Sequence, residues 1–254
     1  MCYTFPIRRF LGKEIKMNSI IDSVSASRRL KIFTAYYAMM YVVINLIFNL
    51  ILEYVAFFGA GAGRIAFKAL TLLIQAPFMF GLVRGIITKE YSISKALGAF
   101  GEAGNYPVYA VYIVTMLAYE ILGFAIAPMG SATGTVLTVG TVLFVAHAIL
   151  KFFVGLFLVK LYFDSIDSGK LSIGTTIKSC GKLLSKKPMK FVGAELFMLV
   201  VSGISMVISS TVANILPAHW TVSLIITCIN SVQYGFIILS WPVYYLYYRW
   251  AFEE

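Results

Sequence analysis

Long apolar runs alternate with short polar segments along the whole chain. Apolar runs of about 20 residues are typical of membrane-spanning helices. The pattern therefore predicts an all-α fold, a polytopic membrane helical bundle of six transmembrane helices. The predicted spans cover about 32–52, 65–87, 106–127, 135–163, 191–216 and 221–245.

The polar stretch 164–195 contains the clearest amphipathic pattern, over 173–187. At 3.6 residues per turn, one face carries apolar side chains and the opposite face carries lysines. The apolar face is Ile173, Ile177, Cys180 and Leu184, and the basic face is Lys178, Lys182 and Lys186. We expect Ser172 to cap this helix and Pro188 to end it.

The amphipathic element is repeated along the chain. A shift of 80 residues aligns Tyr91-Ser92-Ile93 with Leu171-Ser172-Ile173, and a weaker copy begins near Ser19. The sequence thus predicts three units, about 19–90, 91–170 and 171–254. Each unit is a cytoplasmic interfacial helix followed by a membrane hairpin.

Residues 1–18 lack periodicity and precede the first unit. Lys13 to Met17 can be encoded by a purine-rich ribosome-binding sequence followed by ATG. We therefore expect Met17 to be the native bacterial start. The alternative is a genuine basic N-terminal arm, which is common before a first span.

Composition supports a membrane location. The chain has 254 residues, of which 60% are hydrophobic and 13% charged, against about a quarter charged in soluble domains. The net charge of +10 would suggest a nucleic-acid partner in a soluble protein. Here the charges lie at the ends of spans, which favours the anionic inner leaflet of a membrane over nucleic acid.

The distribution of lysine and arginine predicts the orientation. These residues concentrate before the first span, between the second and third, between the fourth and fifth, and after the sixth. Because cytoplasmic loops carry the positive charge, both termini are expected in the cytoplasm. The aromatic residues near the end of the sixth span are expected to form an interfacial belt: Tyr244, Tyr245, Tyr247, Tyr248 and Trp250.

Ionisable residues within spans are costly and so are candidates for function. Folding the third and fourth spans into a hairpin brings Glu120 within about one helical turn of His147, with Lys151 one turn further along. The favoured interpretation is a polar contact that fixes helix register, and the alternative is a proton- or ion-linked site. Glu195 is expected either to pair with Lys151 or to reach the membrane surface separately.

Signatures of enzyme chemistry are missing from the sequence. It has no HExxH, GxSxG or Walker motif, and its three cysteines are scattered without a CxxC pair. Asp164 and Asp167 form a DxxD pattern that we assign to a turn or a helix cap rather than to catalysis. We expect no metal, no cofactor and no enzymatic activity.

Two further patterns concern packing and lipid. Gly81 and Gly85 form a GxxxG pattern, which indicates close helix packing and less often dimerisation. Five lysines lie close together, where they attract anionic lipid or simply determine topology. These are Lys178, Lys182, Lys186, Lys187 and Lys190.

The polar turn, the serine-led amphipathic helix and the basic SKKPMKF approach to the fifth span resemble a known pattern. They resemble an uncharacterised family of bacterial six-span integral membrane proteins. That family is distantly similar to the membrane domain of some glycerophosphoryl diester phosphodiesterases. The resemblance implies a multi-pass protein of the bacterial plasma membrane.

These observations favour a non-enzymatic structural, regulatory or accessory membrane component. Its expected partners are anionic lipids of the inner leaflet, with a homo-oligomer or another membrane protein as further options. The alternative is a small-solute or ion transporter or channel that uses the region of Glu120, His147 and Lys151. A lipid-acting enzyme is the third option.

Overall fold

The computed structural model describes residues 17–54, 61–126, 135–215 and 220–253. Residues 1–16, on which the prediction of a start at Met17 falls, lie outside the described residues. The described chain is all-α and contains no strand. Its helices are α1 (Met17–Ala26), α2 (Arg28–Tyr54), α3 (Gly61–Thr88), α4 (Ile93–Gly98), α5 (Tyr106–Ile126), α6 (Thr135–Ser168), α7 (Ile173–Lys186), α8 (Pro188–Ile215) and α9 (Trp220–Glu253).

The long helices fall on the predicted apolar runs. Among the described residues, five stretches are long and apolar enough to cross a membrane: Arg28–Leu52, Gly63–Thr88, Ala103–Ile126, Thr141–Ser168 and Ile225–Glu253. The predicted fifth span coincides with α8, which has 28 residues. Several α8 side chains lie outside the described part, so a sixth span stays a prediction. The described part of the chain is thus that of an all-helical membrane protein.

The three short helices each precede a pair of long ones. α1 comes before α2 and α3, α4 before α5 and α6, and α7 before α8 and α9. Two 3₁₀ turns, Ala99–Gly101 and Ala103–Asn105, connect α4 to α5. The helix α4 is therefore short and ends at Gly98, because the chain after it tightens into these turns.

The core lies at one end of the bundle, which we call the packed end. Buried side chains concentrate where α2, α5 and α8 begin and where α3, α6 and α9 end. α3 lies at the centre, since 67% of the residues in its apolar stretch are buried, against 11–22% in the other four spans. It packs against α2, α5, α6 and α9.

The expected aromatic belt at the end of α9 is wrong. Tyr244, Tyr245, Tyr247 and Tyr248 are all at most 9% exposed, and Tyr248 is 0% exposed. α9 also continues eight residues beyond the predicted span, from 245 to Glu253. Its end is covered by α6, α7 and α8, so these rings form part of the core.

The glycine pair of α3 packs within the chain. A Cβ on Gly81 would lie 2.3 Å from the carbonyl oxygen of Ala96, and one on Gly85 would lie 2.5 Å from Cζ of Phe33. The backbone of α3 thus approaches α4 and α2 closely. The GxxxG pattern serves intramolecular packing in this structure.

Candidate functional site

Glu120 pairs with a residue of α3. Its Oε1 lies 2.8 Å from Nζ of Lys68, and both side chains are about one-third exposed, 28% and 32% respectively. The two residues lie on apolar helices, where an opposite charge is the usual way to hold a carboxylate. This pair joins α5 to the central helix.

His147 has a different partner on α5. Its Nε2 lies 3.0 Å from the carbonyl oxygen of Tyr119, and its ring stacks on the Tyr119 ring with centroids 4.1 Å apart. A carbonyl only accepts, so Nε2 must carry the proton. Gly123 makes room, because a Cβ there would lie 2.9 Å from Cε1 of the imidazole. The hairpin prediction correctly brings His147 to α5, but Glu120 and His147 bind different groups.

Glu195 is buried, 9% exposed, near the start of α8. Its Oε1 accepts hydrogen bonds from the hydroxyls of Tyr244 at 3.1 Å and Tyr248 at 2.5 Å. Lys151 is exposed, and the ion pairs of the described residues do not include a pair between it and Glu195. The tyrosines lie four residues apart on α9, a spacing that places both hydroxyls on one face.

The helix α7 has the predicted ends, but its buried face is turned relative to the prediction. Thr176, Cys180 and Leu183 are buried, whereas Ile173 and Ile177 are 42% and 57% exposed. Ser172 precedes the helix without making a side-chain cap. Pro188 begins α8, as a residue that fits the first helical position.

The lysine cluster divides into two groups. Lys178, Lys182 and Lys186 of α7 are exposed. Lys187 and Lys190 are partly buried, and Nζ of Lys190 lies 3.8 Å from the centroid of the Trp250 ring. Such a cation–π contact ties Lys190 to α9. Three of the five lysines that were expected to attract anionic lipid are therefore exposed on one helix.

The DxxD residues lie in the last turns of α6 rather than in a loop. Asp164 pairs with Lys160 and accepts a hydrogen bond from the Thr176 hydroxyl at 2.7 Å. Asp167 lies 2.5 Å from Nη1 of Arg249. These contacts join α6 to α7 and α9, which is a packing role.

A polar cleft of about 350 Å³ opens at the packed end, between the ends of α3 and α6. Arg84, Glu90, Glu102, Asn105 and Ser165 line it, together with the apolar residues Phe80 and Ile166. Sequence reasoning missed this site because its residues come from three separated segments. The one residue that could have indicated this site from the sequence is Arg84, a charged residue one turn before the end of α3.

The centre of the cleft is an ion pair. Nη1 of Arg84 donates to both carboxylate oxygens of Glu102, at 2.7 and 2.6 Å, and Nδ2 of Asn105 donates to Oε2 at 3.0 Å. The hydrogen bond from Arg84 is the main reason that the pKa of Glu102 lies below its ordinary value of 4.5. Glu102 is therefore a carboxylate at neutral pH.

Groups that could hold a metal are absent from the described residues, where no three His, Cys, Asp or Glu side chains come together. Comparisons with known proteins add no identity: no family model, no curated protein and no solved structure matches this chain. The expected resemblance to bacterial six-span proteins and to the phosphodiesterase membrane domain stays a prediction.

Proposed function

We propose that the chain is a six-span protein of the bacterial plasma membrane with both termini in the cytoplasm. In this proposal it acts as a non-enzymatic structural or accessory component that binds anionic lipid of the inner leaflet. The packed end faces the cytoplasm. The three units of a short helix and a hairpin are copies of one element.

Equivalent positions in the second and third units support the repeat. The amide of Ala96 donates to the carbonyl of Ser92, and the amide of Thr176 donates to the carbonyl of Ser172, 80 residues further on. Ala96 and Thr176 are both buried, at 2% and 0% exposed. The two short helices thus start at equivalent serines and bury equivalent positions.

The exposed surface of α7 supports the proposal that the protein binds lipid. Ile173 and Ile177 stand exposed beside the buried face of the helix, while Lys178, Lys182 and Lys186 stand exposed on the far side. This arrangement suits a helix that lies in the membrane interface with its isoleucines toward the acyl chains. Each lysine near the surface of an anionic leaflet contributes about 1 kcal/mol, and salt weakens the attraction.

The test compares two sets of three neutralised lysines in nanodiscs that contain phosphatidylglycerol and phosphatidylcholine. The first set is on α7, and the matched set is exposed at the packed end but off α7. The sets are Lys178, Lys182 and Lys186 to Gln, and Lys31, Lys89 and Lys170 to Gln.

The readout is the amount of phosphatidylglycerol that remains bound after extraction, measured by native mass spectrometry. Only the α7 set should reduce this amount, and added salt should reduce it in the wild type. An equal loss in both sets would indicate a general effect of charge and would contradict a specific surface.

A second candidate function is transport of a small solute or ion. The Lys68–Glu120 pair favours it, since an ion pair on apolar helices is a common element of transport sites. Glu120→Gln and His147→Ala should then abolish proton-coupled flux in proteoliposomes while folded yield is retained. Loss of folded yield alone would assign both residues to packing.

A further inference from the structure

The cleft at the packed end has the chemistry of a binding site. We propose that it binds a headgroup in which a phosphate is joined to a primary amine, as in ethanolamine phosphate. The proposal is independent of the α7 lysines, because none of them lines the cleft. Its size, charge and position each support this ligand class.

The size fits a small polar group. A volume of about 350 Å³ lies at the lower end of the range of about 300–1,000 Å³ for small-molecule pockets. The lining combines polar residues with two apolar ones, Phe80 at 2% exposed and Ile166, which is partly buried. In this proposal the headgroup contacts the polar residues, and the glycerol of a lipid lies against Ile166, since Phe80 has almost no free surface.

The charges favour a ligand that carries both signs. Within the lining, Arg84 supplies one positive charge, and Glu90 and Glu102 supply two negative charges, of which Glu90 pairs with Lys95 outside the lining. A simple anion would meet the two carboxylates, and a simple cation would meet the guanidinium. A zwitterion places a phosphate toward Arg84 and an ammonium group toward the carboxylates.

The donors and acceptors are available. Within the described residues Arg84 uses Nη1 for Glu102, so Nε and Nη2 retain their N–H donors for a phosphate. Glu90 pairs at its Oε1 with Lys95 at 3.0 Å, and both side chains are exposed. Such an exposed pair is weak, so an ammonium group can take its place at little cost.

The position suits a lipid. The cleft lies where α3 and α6 end, at Thr88 and near Gly169. Helix ends of this kind lie at the level of headgroups, because the apolar part of a span matches the hydrocarbon core. A soluble aminophosphate has the same chemistry, so the experiment includes both sources.

In the first arm, purified protein is mixed with phosphatidylethanolamine and phosphatidylcholine of equal chain length, and bound lipid is counted by native mass spectrometry. The two lipids share the phosphate, but the quaternary amine has no N–H to donate. We expect the wild type to prefer phosphatidylethanolamine by about tenfold, which is the effect of one charge-assisted hydrogen bond.

Two variants test the amine contact and the phosphate contact of the ligand separately. Glu90→Gln should remove the preference for the primary amine, and Arg84→Gln should weaken binding of both lipids. Glu253→Gln changes an exposed carboxylate outside the cleft and should leave the preference unchanged. Thermal unfolding checks that each variant is folded, and Glu90→Gln remains informative if Arg84→Gln does not fold.

In the second arm, glycerophosphoethanolamine is titrated into delipidated protein by calorimetry. Binding that requires Arg84 and Glu90 would establish the same chemistry with a soluble source. The proposal is overturned if neither form discriminates against its choline analogue, or if Glu90→Gln behaves like the wild type in both arms.

Discussion

The carboxylate of Glu195 on α8 accepts a hydrogen bond from the hydroxyl of Tyr248 on α9 across 2.5 Å. Tyr248 is 0% exposed and Glu195 is 9% exposed, so water does not replace this bond when it is broken. A buried polar group that loses its partner costs about 1–3 kcal/mol. The pair therefore holds the start of α8 to the end of α9.

Removing the Tyr248 hydroxyl should destabilise the folded protein. We expect Tyr248→Phe to cost about 1 kcal/mol, and Glu195→Ala to cost more because it leaves two tyrosine hydroxyls without their acceptor. The measurement is the free energy of unfolding in mixed detergent micelles. Tyr36→Phe, at a 53% exposed position, is the control and should have little effect. Equal effects of the two Tyr→Phe changes would contradict the role of the hydrogen bond.

Adding a methyl group to Gly81 should also destabilise the fold. Its Cβ would lie 2.3 Å from the Ala96 oxygen, so α4 must move away from α3. Overpacking of this kind costs about 1–3 kcal/mol. The control is Gly181→Ala on α7, where a Cβ meets nothing within 4 Å and helix propensity improves by up to about 1 kcal/mol. A neutral Gly81→Ala would show that α4 does not stay packed on α3.

Cys180 should report whether α7 leaves the bundle. The thiol is buried, 9% exposed, and burial raises its pKa to about 12. Because the thiolate is the reactive form, we expect iodoacetamide to modify it only after denaturation. The experiment uses protein in which Cys2 and Cys228 are replaced by Ser. Lys182→Cys together with Cys180→Ser provides an exposed thiol on the same helix. Rapid labelling of Cys180 in the native state would mean that α7 detaches.

The Arg84–Glu102 pair should make part of the stability depend on pH. Hydrogen bonding lowers the pKa of Glu102 in the folded state, so the pair stabilises the protein above the ordinary carboxyl pKa of 4.5. This contribution is lost as the pH falls through the lowered value. Since the pair is partly exposed, we expect it to be worth less than about 1 kcal/mol.

Thermal unfolding at neutral pH and at about pH 3 measures this dependence. Glu102→Gln should be less stable than the wild type at neutral pH, and the difference should shrink in acid. Glu253→Gln serves as a comparison at another exposed carboxylate. A difference that stays constant with pH would exclude ionisation of Glu102 as its origin.

Local patterns predicted the helices well, because an apolar run bounded by polar turns fixes both ends of a span. α5 was predicted over 106–127 and spans Tyr106–Ile126, and α7 was predicted over 173–187 and spans Ile173–Lys186. The ends of α6 and α9 are predicted less well, since both helices continue beyond their apolar runs, to Ser168 and Glu253. The last turns of α9 are buried because α6 and α8 cover them, and a local stretch of sequence does not contain that contact.

Partners were harder to predict than helices. The hairpin pattern predicts contacts of Glu120 only with the fourth span, whereas its partner Lys68 lies on a helix from the preceding unit. The sequence predicts an interfacial position for the tyrosines that face Glu195, because tyrosine is amphipathic. Only tertiary packing decides whether a tyrosine hydroxyl meets water or a carboxylate. The cleft could not be predicted for the same reason, since three segments that are distant in sequence must meet to form it.

The central position of α3 has a consequence for biosynthesis. α3 leaves the ribosome before α5, α6 and α9, which later cover it, and before Glu120, which neutralises Lys68. Until those segments are made, α3 has only the preceding helices to pack against, and Lys68 faces lipid without its partner. A nascent chain that stops after α3 should therefore be a substrate for membrane quality-control proteases, whereas the completed chain is not.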